Sequence, residues 1–394
     1  MSKILICILL CTSLFLCHGQ VRVRKSASDF TRNPTLTFHG IKNSLPLSAA
    51  MHSMLKSCGW FDLRSGATDY VLKGSYEPSG ALSLELKQNN IAVTHLTFNS
   101  GGSSERELAK AAVDAILKKV FNVTGICRTK IVFCVNTSSK SKNIYMCDID
   151  GGNLKRVTRS RNMCVEPEWM PNGKSLLYTR YNRASTDIIQ TIPSRDLSRI
   201  VAAYKGMNLG ASASPNGKFI ALILSRDGQV DLYIKSLSSR ARRRLTRNKS
   251  PEASPCWNPA GSSICYTSGV SGRPQLYIVP ISGANPRRLA TFGSEAVNPS
   301  WSSDNQIVYS AKIGRNYTIA TLDLNGEKPG KVVIRAAGDW ESPSWAPDNR
   351  HIVCYRTYRG RSAIYRVDTW TGKAILLVRL KTSASMPSWS NIIK

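Results

Sequence analysis

Acidic residues are scarce in this sequence: 25 Asp and Glu stand against 54 Lys and Arg, a formal net charge of +29. An excess of that size implies either a well-solvated cationic edge or attraction to an anionic partner. Nucleic acid is a poor candidate for that partner, because no strip of interleaved aromatic and basic residues supports it. Histidine is scarcer still, with five in all, and His18 falls in the leader, leaving His39, His52, His95 and His351. They read as structural or surface histidines. The sequence has no G-x-S-x-G elbow, no H-E-x-x-H, no P-loop and no Gly-rich dinucleotide fingerprint, so the common hydrolase and nucleotide chemistries lack their residues. No C-x-x-C or Cys/His spacing suggests a metal site, and no cofactor is expected. Long apolar runs are also missing. Ile4–Leu16, behind Lys3, is the only candidate. It is too short for a membrane span and reads as a secretory leader over residues 1–19. Export then permits disulfides among the eight remaining cysteines, although buried strand thiols are the simpler reading.

What the sequence has instead is a ladder. Trp169, Ala213, Trp257, Trp301, Trp345 and Trp389 follow one another at steps of 44 residues. Five of the six marks carry a proline two residues earlier: Pro167, Pro255, Pro299, Pro343 and Pro387. A turn follows five of them, such as Pro171-Asn172-Gly173 or Ser303-Asp304-Asn305. There Pro presets φ and Gly or Asn accepts a left-handed position. Three further strand-like segments complete each unit. A repeat of this length and content predicts a β-propeller with four strands per blade. Residues 129–159 look like the second to fourth strands of a blade lacking its first, and Met386–Ile393 is a first strand lacking the rest. Joined, they complete a sixth blade and remove two sheet edges. The chain ends five residues after Trp389, which reads as leaving no room for a following catalytic domain.

Residues 20–125 have another rhythm. A helix is expected at about 47–58, with Leu47, Met51, Met54, Leu55 and Cys58 on one stripe. Strands are expected at Tyr70–Lys73, Ala81–Lys87 and Ile91–Phe98. Ser104-Glu105-Arg106-Glu107 opens a helix running to about Lys119. The expectation is a small α/β N-terminal domain (20–125) followed by an all-β six-bladed propeller (126–394), packed together because no Gly/Ser-rich spacer separates them. The mature start alternates Val21, Arg22, Val23 and Arg24, which suits an edge strand, a frayed terminus or an arm that adds to a partner.

In a propeller the first strand of each blade lines the central channel. The residues just before each mark then ring one mouth: Val165-Glu166, Leu209-Gly210, Ala253-Ser254, Val297-Asn298, Glu341-Ser342 and Ser385-Met386. The few carboxylates there are too few for a calcium-dependent lactonase. A rigid rim of mixed polarity suits a docked protein or peptide.

Several segments carry a resemblance to a known family. The join Val123-Thr124-Gly125-Ile126-Cys127-Arg128-Thr129-Lys130-Ile131-Val132-Phe133 is similar to a Leu-Thr-Gly…Thr-Arg-Ile-Ala-Tyr segment of the TolB family, the periplasmic component of the bacterial Tol–Pal envelope system. The domain order and the Pro-x-Trp-x-Pro-Asp/Asn-Gly repeat agree over nearly the whole mature chain. The resemblance implies a non-enzymatic periplasmic adaptor that helps maintain the outer membrane and draws it inward during cell division. It implies that the propeller mouth binds the peptidoglycan-associated lipoprotein Pal, through Glu166, Asn208, Gly210, Ser254, Asn298, Glu341, Ser342 and Met386. It also implies that the arm Val21–Arg24 binds a TolA-like inner-membrane protein. Two departures stand out. A family His-Asn-Gly-Ala segment is here Met207-Asn208-Leu209-Gly210, and a Thr-Glu-Pro-x-Trp blade is here Ala253-Ser254-Pro255-Cys256-Trp257. Two alternatives remain open at this level: a propeller enzyme or enzyme subunit, and a direct binder of anionic cell-wall polymer.

Overall fold

Residues 32–326 and 330–391 are described by a computed structural model; the expected leader lies outside them. The chain first forms β1 (Thr35–Lys42), α1 (Leu45–Cys58), β2 (Asp62–Leu63), β3 (Tyr70–Tyr76), β4 (Ala81–Gln88), β5 (Ile91–Asn99) and α2 (Glu105–Phe121). The sheet order is β2-β1-β3-β4-β5. β1 runs parallel to both its neighbours, while β3, β4 and β5 form antiparallel hairpins. α1 starts at Ser44, whose hydroxyl accepts from the Leu47 amide, and it buries Leu47, Met51, Met54, Leu55 and Cys58. That is the stripe its spacing predicts. Ser104 caps α2 through the Glu107 amide. The Glu107 carboxylate does not return to the cap; it pairs with Lys110 at 2.7 Å.

Six four-stranded sheets follow. The first strands of blades 1–5 are Cys164–Trp169, Asn208–Ala213, Glu252–Trp257, Glu295–Trp301 and Asp339–Trp345. Blade 6 is composite: Ala384–Trp389 pairs with Lys130–Asn136, ahead of Lys142–Asp148 and Lys155–Arg156. The Trp389 indole N–H donates to Thr129 Oγ1 at 2.7 Å, which locks the seam. The turns after the marks place Gly173, Gly217, Gly261, Asn305 and Asn349 at positive φ. Only glycine and asparagine adopt that region at low cost.

Strand polarity sorts the connections. The turns after each mark, and the links from third to fourth strands, lie on one face of the ring. The second-to-third hairpins and the links into each first strand lie on the other. Every polar contact made by the α/β part falls on the first face. The Trp60 indole donates to Asp348 Oδ2 at 3.0 Å, and His351 Nδ1 meets the same oxygen at 2.7 Å. Arg350 lies 4.7 Å and 4.5 Å from the ring centres of Trp60 and Trp370 while it pairs with Asp368. Burial would raise the Asp348 carboxyl, but the His351 imidazole and the Trp60 N–H outweigh it and hold it down at about 2. A second clamp joins α2 to blade 6. Buried Lys110 reaches buried Asp148 at 2.8 Å, and Arg106 reaches Asp150 at 2.6 Å. One apolar cluster runs through both clamps, from Leu36 and Met51 to Ile131, Val353 and Trp389.

Gly59 closes α1 at φ 72°, and a Cβ there would lie 2.5 Å from His351 Nε2. Gly59→Ala should therefore cost about 2 kcal/mol or more, from backbone strain and displacement of the imidazole. Urea unfolding of the purified chain measures it, and a variant as stable as the parent would show that the imidazole moves freely.

Candidate functional site

The innermost strands build the site. In each, the register against the second strand slips by a residue just before the mark, so each carries a bulge. The bulge residue is left-handed in every blade: Glu166, Gly210, Ser254, Asn298, Ser342 and Met386 have φ between 48° and 56°. Five of these are not glycine, and each costs roughly 1–2 kcal/mol in that region. Strain repeated at one place in all six blades marks a position whose geometry is over-determined by its surroundings. A proline, buried in each case, follows five of them; it bars the preceding residue from the ordinary helical region and so narrows its choices. Blade 2 is the exception on both counts. It has Ala211 where the others have proline and Gly210 where they pay the strain.

Neighbouring blades are stitched across this ring. Glu166 Oε2 accepts from the Gly210 amide at 2.9 Å and from Thr179 Oγ1 at 2.8 Å. Asn298 Nδ2 donates to Ser254 Oγ at 3.1 Å. The Ser342 amide donates to Ser310 Oγ at 3.1 Å. All six bulge residues stay half-buried, so each keeps an accessible edge. The sequence thus led to a ring that the fold does bring together.

Two of the expected contacts differ from their neighbours. Asn208 is fully buried. Its amide nitrogen donates to Thr186 O and Tyr204 O at 2.8 Å each, and its oxygen accepts from the Tyr204 amide. It is a clasp between blades 1 and 2 with nothing left to offer a partner, which corrects its assignment to the rim. Glu341 is half-buried just before the bulge, where enclosure raises its carboxyl against the pull of a Tyr355 hydrogen bond. The arm Val21–Arg24 lies outside the described residues.

A second ring escaped the sequence reading. One residue before each mark stand Glu168, Ser212, Cys256, Ser300, Ser344 and Ser388. Ser300 Oγ and Ser344 Oγ accept the amides of Trp345 and Trp389 in the next blade, at 3.2 and 3.0 Å. Ser388 Oγ donates to Glu168 Oε2 at 2.9 Å. Glu168 keeps a partial opening, yet protein encloses it, and that enclosure pushes its carboxyl up to about 7. The recurrence of serine at four of these six positions, at the period of 44, was the available signal. Among the described residues no group of three or more His, Cys, Asp and Glu could hold a metal ion.

The sign of the Glu168 shift gives a pH dependence. A raised carboxyl pKa stabilises the fold at low pH, and that stability is lost as pH rises from the ordinary value of 4.5 through about 7. Buried Glu252, lifted to about 7 by the same cause, acts in the same direction. Glu168→Gln should shrink the difference in unfolding free energy between pH 5 and pH 8 by about 2 kcal/mol, after allowance for the partial opening. An unchanged difference in urea titrations would place the titration elsewhere.

Comparison with known proteins bears on the same surface. A family profile described as the TolB beta propeller domain matches residues 117–393. The Tol-Pal system protein TolB of Desulfotalea psychrophila is 31% identical over 224 residues, which is 54% of this chain and 49% of that one. A protein TolB homolog of Chlorobaculum tepidum is 26% identical over 235 residues, covering 58% and 54%. The chain spans about half the length of the curated relatives it matches. The crystal structure of TolB from Acinetobacter baumannii superposes with a TM-score of 0.83 over 91% of this chain and 97% of that one. At 22% identity that likeness speaks to the fold.

Proposed function

We propose, for a chain that belongs to the TolB β-propeller family, that it is a non-enzymatic exported adaptor of a Tol–Pal type system, working in the periplasm. Its rim docks a Pal-like peptidoglycan-associated lipoprotein, and its N-terminal arm, Val21–Arg24, engages a TolA-like inner-membrane protein. Joining the two would support outer-membrane integrity and invagination during division.

The observation that carries this reading is the ring of six left-handed bulge residues. A docking surface binds tightly when little order remains to be imposed at the moment of contact. Here the order already exists: the bulges are fixed by proline and by hydrogen bonds between blades, whether or not a partner is present. The residues offered are of mixed polarity, as the cores and rims of protein interfaces are. The clamps hold the α/β part on the opposite face, so this mouth is left clear of it.

The test is substitution at two rim positions whose side chains take no part in the stitching between blades, Ser342→Arg and Met386→Arg. Arginine tolerates the backbone required, since Arg359 already sits at φ 51°. Affinity for the soluble domain of the Pal-like lipoprotein, measured by calorimetry, should fall at least tenfold while thermal stability stays close to the parent's. Undiminished binding by the double variant would defeat the rim assignment.

A further inference from the structure

The second-to-third hairpins lie on the face away from the α/β part. In blades 3, 4 and 5 their tips share a pattern absent from the other three. They read Val270-Ser271-Gly272-Arg273, Ile313-Gly314-Arg315 and Tyr358-Arg359-Gly360-Arg361. Hairpin tips are ordinarily polar throughout. These three present their large apolar side chains to solvent, at 49%, 46% and 43% exposure. The loop between blades 3 and 4 adds Phe292, 36% exposed. The corresponding tips of blades 1, 2 and 6 carry Arg183, Arg226 and Lys140 with no exposed large apolar side chain.

Charge accompanies every apolar tip. Arg273, Arg315, Arg335, Arg359 and Arg361 are all exposed in this sector, and none of them forms an ion pair with a described residue. The acids nearby are already occupied: Glu295 by Lys312 and Tyr317, and Asp339 by Asn316 and the Tyr317 amide. Tyr358 is flanked by the guanidinium groups of Arg356 and Arg359, 4.6 and 5.3 Å from its ring centre. Between the Val270 tip and the Phe292 loop lies a polar hollow of about 300 Å³, whose lining includes Arg273, Arg288, Ser271 and Ser294. Two guanidinium groups and two hydroxyls suit a phosphate-sized oxyanion.

We propose that the sector formed by blades 3, 4 and 5 binds the surface of an anionic phospholipid bilayer, its apolar tips entering the headgroup boundary and its arginines meeting lipid phosphates. Loops from three successive blades on one face of a rigid ring reach a flat surface together. Apolar tips interleaved with unpaired cations are the two contributions that interfacial binding combines. The inference goes beyond the protein docking proposed for the rim and does not depend on it.

Co-sedimentation of the full chain with vesicles tests it. Vesicles of phosphatidylcholine with about 30 mol% phosphatidylglycerol should bind the chain at low salt, and pure phosphatidylcholine vesicles should bind it far more weakly. Arg315→Glu with Arg359→Glu should lower the partition coefficient at least tenfold, because each surface cation contributes severalfold. Val270→Ser with Ile313→Ser and Tyr358→Ser should lower it at least fivefold at unchanged charge. Lys218→Glu with Arg240→Glu, in exposed turns on the opposite face of blade 2, is the charge-matched control and should change it less than threefold. Equal binding to both vesicle types, an equal loss in the control, or full binding by the apolar variant would each overturn the proposal. Capture of an acidic protein without vesicle binding would overturn it too.

Discussion

The pairing of Ala384–Trp389 with Lys130–Asn136 is the contact on which the rest depends. A ring of radial sheets has no stable open form, because each blade buries one face against the next and the two end blades would each expose an edge. Trp389 does more than fill the gap. Its indole is tied to Thr129, and the same side chain belongs to the apolar cluster shared with α1 and α2. Closing the ring therefore also completes the floor on which the α/β part rests.

Charge is distributed according to the two faces. On the clamped face, scarce carboxylates are spent on holding the parts together: Asp148, Asp150, Asp348 and Asp368 each face a cation or imidazole. Buried ion pairs of this kind are costly to break because the lone partner is left in a poorly solvated place. On the other face the hairpin tips are cationic in all six blades, and Asp227 is the one acid among them. The same division leaves the strained rim and the apolar tips on the surface that no part of the described chain covers.

Repetition made the propeller legible. Six registered marks fix blade number, strand order and closure without any knowledge of side-chain contacts, and the turn residues fix where the backbone turns left-handed. The rim position was legible for the same reason, since its phase follows from the marks. The left-handed bulge itself was not, because Glu, Ser, Asn and Met carry no backbone signature and only the shared proline hints at one. β1 was also missed. It is a parallel strand paired with residues about 30 positions away, its alternation is broken at Gly40, and nothing local announces it. Asn208 shows the limit of phase as a guide. It lies two residues from the bulge, yet the loop around Tyr204 and Gly206 folds over it and absorbs its hydrogen bonds.

The composite blade also sets a timetable. The Lys130 amide finds its partner on Ser390, 260 residues later. During synthesis at the usual rates the strand Lys130–Asn136 waits roughly 10–50 s for that partner. Through that interval Ile131, Val132, Phe133, Cys134 and Val135 offer an unpaired apolar edge, later wholly buried. An edge of that composition pairs readily with any other extended chain. The nascent protein is thus at its most vulnerable where the finished one is most secure, and its yield depends on how well that one strand is shielded until the last blade arrives.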